Sequence, residues 1–412
     1  MQIIFILVAI SGAAYFLFAL RKFDFFSLGF LSACFYFSPG FLGFTYRFES
    51  GDYLNEILDE TYLVMIVVLV AIILGALIYD RTIKQRELEI SLPKTNYTSQ
   101  IALLLSLVGL LFTVYQSGSI FYLSDKSIIL EEIGRWHIIW VVAAGIGAVI
   151  SFIKKKYMVF FLCMLLILLD VYVGFRVTVV LIVISLMVYV LSKEGKTRIL
   201  SSRWKEMLVF LSSAFVILLY KQFYILVKLR EWDLIASRLM NFKAIMNSFT
   251  QAEPFVIQAT LNEVIWQDFH VTVDHMSGIL NNLIIFSPNL GIDTITFNSL
   301  FQPVLFPTVT SGMASNIWAE MWSTGGWILL IFFILIYVLF ISLGSFLLNL
   351  TDPSIKGLVI LLFSYWSFYI HRNDISYQIT LEKRVFLIWL FCIIGSYILL
   401  SILPTKMKYE TN

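Results

Sequence analysis

Long apolar runs separated by short polar interruptions dominate the chain. A spanning helix needs about 20 mostly apolar residues to cross a hydrocarbon core roughly 30 Å thick. Eleven stretches meet or approach that length: Gln2–Leu20, Phe25–Tyr46, Thr61–Tyr79, Thr98–Tyr115, His137–Ile153, Tyr157–Val173, Val177–Ser192, Met207–Val227, Trp327–Leu348, Gly357–Ile370 and Val385–Leu403. Pro39 and Gly40 predict a kink in the second. The first run lacks a basic flank before it and a small-residue cleavage site after it, so it reads as a retained span rather than a signal peptide. The pattern divides the chain into residues 1–227 with eight spans, a loop over 228–326, and residues 327–412 with three more spans and a tail.

The loop is nearly a quarter of the chain and is not a linker, because apolar residues recur through it. Arg230–Phe249 and Phe255–Val264 carry helical periodicity. Ser287–Ser311, rich in Asn, Thr and Pro, predicts irregular backbone. Helix is expected to resume near Ser311. From there to Leu348, at 1.5 Å per residue, a straight helix would run about 57 Å, too long for one crossing. A break or a protruding stem near Gly325-Gly326 follows. No repeat relates the two halves of the chain.

Composition sharpens this picture. Hydrophobic residues make up 59% of the chain, charged residues 14%, and mean hydropathy is +0.87. A water-soluble enzyme or a disordered chain is excluded; the fold class is an all-α polytopic membrane protein. A net charge of +2 gives no reason to expect nucleic acid as a partner. Cys34, Cys163 and Cys392 are far apart inside apolar runs and form neither a disulfide framework nor a zinc spacing. With the N-terminus outside, 17 Lys and Arg fall on short inside loops and 11 on much longer outside ones. The positive-inside rule therefore predicts N-out and C-in, and the long loop is extracytoplasmic.

On that outer side fall all four histidines and nine of the ten tryptophans, or at least the outer half of a span for the latter. Such one-sidedness suggests sugar stacking or a lipid-headgroup site; an interface belt with loop packing explains it equally well. Arg176 stands in the turn Val173-Gly174-Phe175-Arg176, which joins two spans with almost no loop. A guanidinium fixed there suits a phosphate, which it binds bidentately; the alternative is a snorkelling arginine paired with Asp170. His371-Arg372-Asn373-Asp374 lies at the outer mouth of the tenth span. Arg372 is placed to face the same anion and Asp374 to orient it or a hydroxyl. Arg230 follows the eighth span, which also carries Lys221 and Lys228; Lys221 lies deep enough to suggest function. Asn316 and Glu320 share one helix face, and Glu320 is a candidate general base. Asn316, Trp318 and Trp322 are candidates for holding a sugar. His270, Asp274 and His275 offer a metal or acid-base cluster, but histidines five apart on a helix diverge by about 140°, which speaks against a metal. No DxD pair, Walker loop or nucleophile elbow occurs, so neither a metal nor a nucleotide cofactor is expected.

The span number, the large outer loop before the last three spans, the Gly-Phe-Arg176 turn, the Ser311–Trp327 stretch and the Arg372-Asn-Asp374 motif together resemble the bacterial O-antigen and capsular polysaccharide repeat-unit polymerases (Wzy-type), which share their architecture with O-antigen ligases. An arginine followed eleven positions later by glycine, found in some members, is absent here, where Met187 and Asn241 follow Arg176 and Arg230. The resemblance implies a metal-independent glycosyltransferase with GT-C-like architecture, multi-pass in the bacterial inner membrane. It would join undecaprenyl-diphosphate-linked oligosaccharides at the outer face, with a chain-length regulator and a flippase as partners. It places Arg176, Arg372 and Arg230 on the diphosphate, with Glu320 or His275 as base and Asp374 beside them. The rival readings are a lipid-linked oligosaccharide flippase or transporter, and the ligase, which differs in its acceptor.

Overall fold

The computed structural model describes residues 1–49, 51–83, 87–90, 92, 95–123, 126–193, 196–241, 253–272, 274–283, 295–309 and 312–402. In chain order they form α1 (Gln2–Phe18), α2 (Phe25–Tyr36), β1 (Phe44–Glu49), β2 (Gly51–Glu56), α3 (Asp59–Thr82), α4 (Thr98–Ser117), α5 (Arg135–Ile153), α6 (Tyr157–Val173), α7 (Val177–Ser192), α8 (Trp204–Leu229) and α9 (Trp232–Met240). There follow α10 (Glu253–Trp266), α11 (Asp274–Asn282), α12 (Phe297–Leu305), α13 (Ile317–Leu347), α14 (Pro353–Tyr369) and α15 (Ile375–Ile402), with a few shorter helical turns between. Among the described residues, α3, α4, α5, α13 and α15 are long and apolar enough to cross a membrane, and α1, α2, α6 and α7 are shorter apolar helices. The protein is an all-α, membrane-embedded helical bundle. Helix is what such a composition allows, because hydrocarbon offers backbone groups no partner but each other.

Helix α5 runs through the middle of the bundle, packed on α4, α6, α7, α14 and α15. A methyl group on Gly109 would lie 2.6 Å from the Trp140 backbone nitrogen, so a small residue sets the approach of α4 to α5. At one end, Arg21 ties α1, α2 and α3 together. Its guanidinium bridges Asp24 at 3.1 Å and Asp80 at 3.2 Å, and Tyr15 donates to Asp80 at 2.6 Å. The other end carries the β1–β2 hairpin, α10, α11 and α12.

Several expectations need correction. The stretch Phe25–Tyr46 is not one kinked span. Helix α2 stops at Tyr36, Gly43 (φ +82°) turns the chain, and an antiparallel hairpin follows in which Phe44 pairs with Glu56. Strand pairing satisfies the backbone of a segment too polar to cross. Ser287–Ser311 is not irregular throughout: Phe297, Phe301 and Leu305 recur every fourth residue, all buried, and that stripe holds α12 together despite Pro303. Residues 284–294, 310–311, 242–252 and the tail from 403 lie outside the described residues, and with them parts of the Arg230–Phe249 helix and of the Ser287–Ser311 segment.

Helix α10 is almost wholly buried and packs on α2, α3, α13 and β1. Asn262, polar in an apolar helix, accepts from the Leu58 backbone N–H and the Thr61 hydroxyl, each at 2.9 Å. It thereby satisfies the start of α3.

Helix α13 breaks where the glycines stand. Gly325 (φ −154°, ψ 21°) and Gly326 (φ +57°, ψ −150°) separate a short limb, residues 317–324, from a long one, 327–347. In a straight helix Trp318 and Tyr337 would be about 28 Å apart. Their rings are 5.9 Å apart, and Trp318 also meets Phe333 at 6.0 Å. The chain therefore doubles back, and the short limb enters the bundle without crossing it. Gly326 occupies backbone space nearly closed to other residues. Gly326→Ala is expected to destabilise the protein by about 1–3 kcal/mol, read as a lowered thermal midpoint in detergent. An unchanged midpoint would show that the reversal does not need glycine there.

Candidate functional site

The turn between α14 and α15 lies beneath the reversed limb. Helix α14, 17 residues long with about 26 Å of rise, leads into that turn. His371 anchors it, packed among Tyr36, Phe37, Trp318 and Tyr337 with ring centroids 5.4–6.1 Å away. Trp318 Nε1–H donates to His371 Nδ1 at 3.1 Å. Burial pulls the His371 pKa down to about 3, which keeps the ring neutral and an acceptor.

Arg176 reaches the same place from α7. Gly174 (φ +120°) reverses the chain, and the N–H groups of Gly174 and Phe175 both donate to the Asp170 carbonyl. The Asp170 carboxylate turns away from Arg176 and pairs with His137 Nε2 at 2.7 Å. Arg176 instead pairs with Glu253, the first residue of α10. The other oxygen of Glu253 lies 3.3 Å from Arg372 Nε. One carboxylate thus joins two guanidinium groups, and Arg176 Nη1 is buried with no hydrogen-bond partner. Burial opposes the Arg372 charge, but Glu253, Tyr36, Tyr369 and Tyr377 more than offset it, so its pKa rises above the ordinary arginine value.

Beside this trio lies a cavity of about 210 Å³. Arg372, Asn373, Asp374, Tyr365, Tyr369 and Tyr377 form one wall, and Thr296, Asn298 and Ser315 the facing one. Asn298 Oδ1 and Ser315 Oγ are buried without partners. A cavity with the Arg372 guanidinium in its wall and unmet hydroxyl and amide oxygens on Ser315 and Asn298 suits a polyhydroxylated anion.

Two carboxylates meet at the N-terminus of α15, where the helix dipole favours negative charge. Asp374 accepts from the Tyr377 N–H at 2.6 Å and from the Phe297 backbone, and burial raises its pKa. It lines the cavity. Glu320 does not. Its Oε1 lies 2.7 Å from His275 Nε2, its Oε2 accepts from the Ile375 N–H at 2.9 Å, and it is fully buried.

The structure thus sorts the candidates. Arg176, Arg372 and Asp374 come together. Glu320 and His275 are engaged with each other through His275 Nε2, and neither lines the cavity; His275 Nδ1 is buried without a hydrogen-bond partner. Arg230 caps α8 with φ +59° and is exposed, joined to none of the site residues. Lys228 donates to the carbonyls of Leu123 and Val173, and the Lys221 side chain is outside the described residues. The sugar-binding expectation needs correction at Asn316 and Trp318, while Trp322 is half-buried. Asn316 accepts from the Trp318 and Ala319 N–H groups and donates to the Ile257 carbonyl, so its amide is used as a helix cap. Trp318 is sealed in the core, and Trp322 lies edge-on to Trp327. His270 is exposed beside Asp268, apart from His275. No group of three metal-ligating side chains occurs among the described residues.

Glu253, Thr296, Asn298 and Ser315 escaped the sequence reading. An acid standing just before the apolar Phe255–Val264 stretch was a signal for Glu253; the other three stood in stretches that read only as irregular or as a lead into helix. The chain matches no family model, no curated protein and no solved structure.

Glu253 competes with any anion for the two arginines. Glu253→Gln is expected to tighten binding of inorganic pyrophosphate about tenfold, measured by titration calorimetry; weaker binding would mean the carboxylate only positions the arginines. Glu320→Ala strands His275 and the Ile375 N–H and is expected to cost about 3 kcal/mol. Full thermal stability of that variant would contradict the capping role.

Proposed function

We propose that this protein is a glycosyltransferase that polymerises undecaprenyl-diphosphate-linked oligosaccharide repeat units, as in O-antigen or capsule synthesis. The observation that carries the reading is the convergence of Arg176 and Arg372 on one carboxylate beside a polar cavity. In this reading the chain crosses the bacterial inner membrane eleven times, N-terminus outside and C-terminus inside, and the cavity opens to the outer face.

The chemistry follows from the charges. The donor's diphosphate displaces Glu253 and is held by the two guanidinium groups. A hydroxyl of the incoming repeat unit attacks the anomeric carbon. The bond from that carbon to the diphosphate oxygen breaks, and its electron pair leaves with the diphosphate. Charge grows on that oxygen in the transition state, where fixed guanidinium groups stabilise it. Asp374, the carboxylate that faces the cavity, takes the hydroxyl proton; this role passes to it from Glu320 and His275. Burial raises the Asp374 pKa, which makes its carboxylate a stronger base than an exposed one. Bond energy in the donor drives the reaction, and no nucleotide is required.

The test is purified protein in detergent with lipid-linked repeat units and no nucleotide, followed by a gel of product lengths. A ladder is expected. Unchanged substrate in detergent, together with movement of the substrate between leaflets once the protein is reconstituted into vesicles, would replace this reading with transport, and a single transfer to an added lipid A core with ligation. Arg176→Ala, Arg176→Lys and Asp374→Asn are each expected to lower turnover about a hundredfold or more. Lysine keeps the charge but loses bidentate geometry, so a fully active Arg176→Lys variant would reject the clamp.

A further inference from the structure

The turn that delivers Arg176 is held more firmly than the joining of two helices requires. Val173 is buried with Ile120 and Ile129, and Phe175 packs against them. Between the two, Gly174 (φ +120°) reverses the chain, and a Cβ there would lie 3.1 Å from the Tyr224 ring. The Val173 carbonyl accepts from Lys228 Nζ at 3.0 Å, and Lys228 also donates to the Leu123 carbonyl at 2.7 Å. The N–H groups of Gly174 and Phe175 donate to the Asp170 carbonyl at 3.2 and 3.1 Å. The Asp170 side chain has no such local duty. It stands in the last turn of α6, where negative charge opposes the helix dipole, and it is buried, where an unpaired carboxylate is costly. His137, from the start of α5, supplies the partner: its Nε2–H donates to Asp170 Oδ1 at 2.7 Å. The imidazole also lies against the Phe175 ring, with centroids 5.1 Å apart, and edge-on to Trp140 at 5.3 Å. Asp170 thus fixes the turn through its backbone, while His137 fixes Asp170 and Phe175 together from the central helix of the bundle.

We propose that His137 and Asp170 are a positioning pair for the reaction, setting the direction of the Arg176 guanidinium toward the diphosphate before the ligand arrives. The inference rests on the diphosphate reading above and deepens it. Neither residue lines the polar cavity, so both act through Arg176. A guanidinium grips phosphate through two parallel N–H groups, so its direction counts as well as its charge. Arg176 follows Phe175 directly, and its Nη1 is buried with no hydrogen-bond partner. Anchoring the backbone on both sides of Gly174 removes freedom that the ligand would otherwise have to freeze. For stability alone, two packed apolar side chains would serve as well as a buried polar pair. A hydrogen bond of fixed length and direction adds what such packing lacks, one defined orientation of the turn.

The test is titration of inorganic pyrophosphate into the full-length protein in detergent. Asp170→Leu, which removes the partner of His137 at similar volume, is expected to weaken binding about tenfold. In an Arg176→Ala background, where Arg372 remains, the same substitution is expected to change affinity by less than about twofold, because its effect runs through Arg176. Asp170→Asn keeps an acceptor oxygen for His137 Nε2–H and is expected to stay within about twofold of the wild type. Should Asp170→Leu fail to fold, Lys228→Met loosens the same turn from α8. It is expected to weaken binding about threefold, and is read in the same two backgrounds. The positioning role is overturned if the protein with the loosened turn binds pyrophosphate as the wild type does. It is overturned equally if the loss is as large without Arg176 as with it, or if Asp170→Asn binds no better than Asp170→Leu. Failure of the diphosphate reading looks different and removes this proposal with it: the wild type does not bind pyrophosphate, or binds it no tighter than Arg176→Ala.

Discussion

Two guanidinium groups sharing one carboxylate organise the functional end of this bundle. Arg176 comes from the tip of α7, Arg372 from the turn between α14 and α15, and Glu253 from the head of α10. A buried cation unpaired in such surroundings is strongly unfavourable, so the three elements are held in register by the need to keep these charges together. Beside this shared carboxylate Arg176 Nη1 stays buried without a hydrogen-bond partner.

Most other polar side chains near the site are consumed by the backbone. In apolar surroundings each helix end must find partners for its free N–H groups. Asn262 serves α3, Asn316 serves the short limb of α13, and Glu320 and Asp374 together serve α15. This requirement separates Glu320 from Asp374, two acids of similar promise. Both atoms of the Glu320 carboxylate are engaged behind the wall, while Asp374 caps its helix and still borders the cavity. The reversal at Gly325 and Gly326 places Trp318 under the site as a floor, where it fixes the neutral ring of His371 and thereby the turn that carries Arg372.

The helical, membrane-embedded character of this chain was legible in composition and hydropathy, because hydrocarbon permits few alternatives for so apolar a backbone. Tyr157–Val173 and Val177–Ser192 begin and end where the apolar runs do, and the break at Gly325-Gly326 stands where length demanded one. Arg176 and Arg372 attracted notice for the same reason: charge beside an apolar run is costly and so conspicuous. What those charges touch was decided only in three dimensions. Glu253 lies 77 residues from Arg176 in sequence, and no local pattern encodes that partnership. The sharpness of the turn in α13, which buries Trp318 instead of exposing it, depends on Phe333 and Tyr337 waiting on the returning limb. Hydrophobic patterning acts through near neighbours and specifies segments; which polar atoms remain free after folding depends on long-range pairing, and only those atoms can meet a ligand.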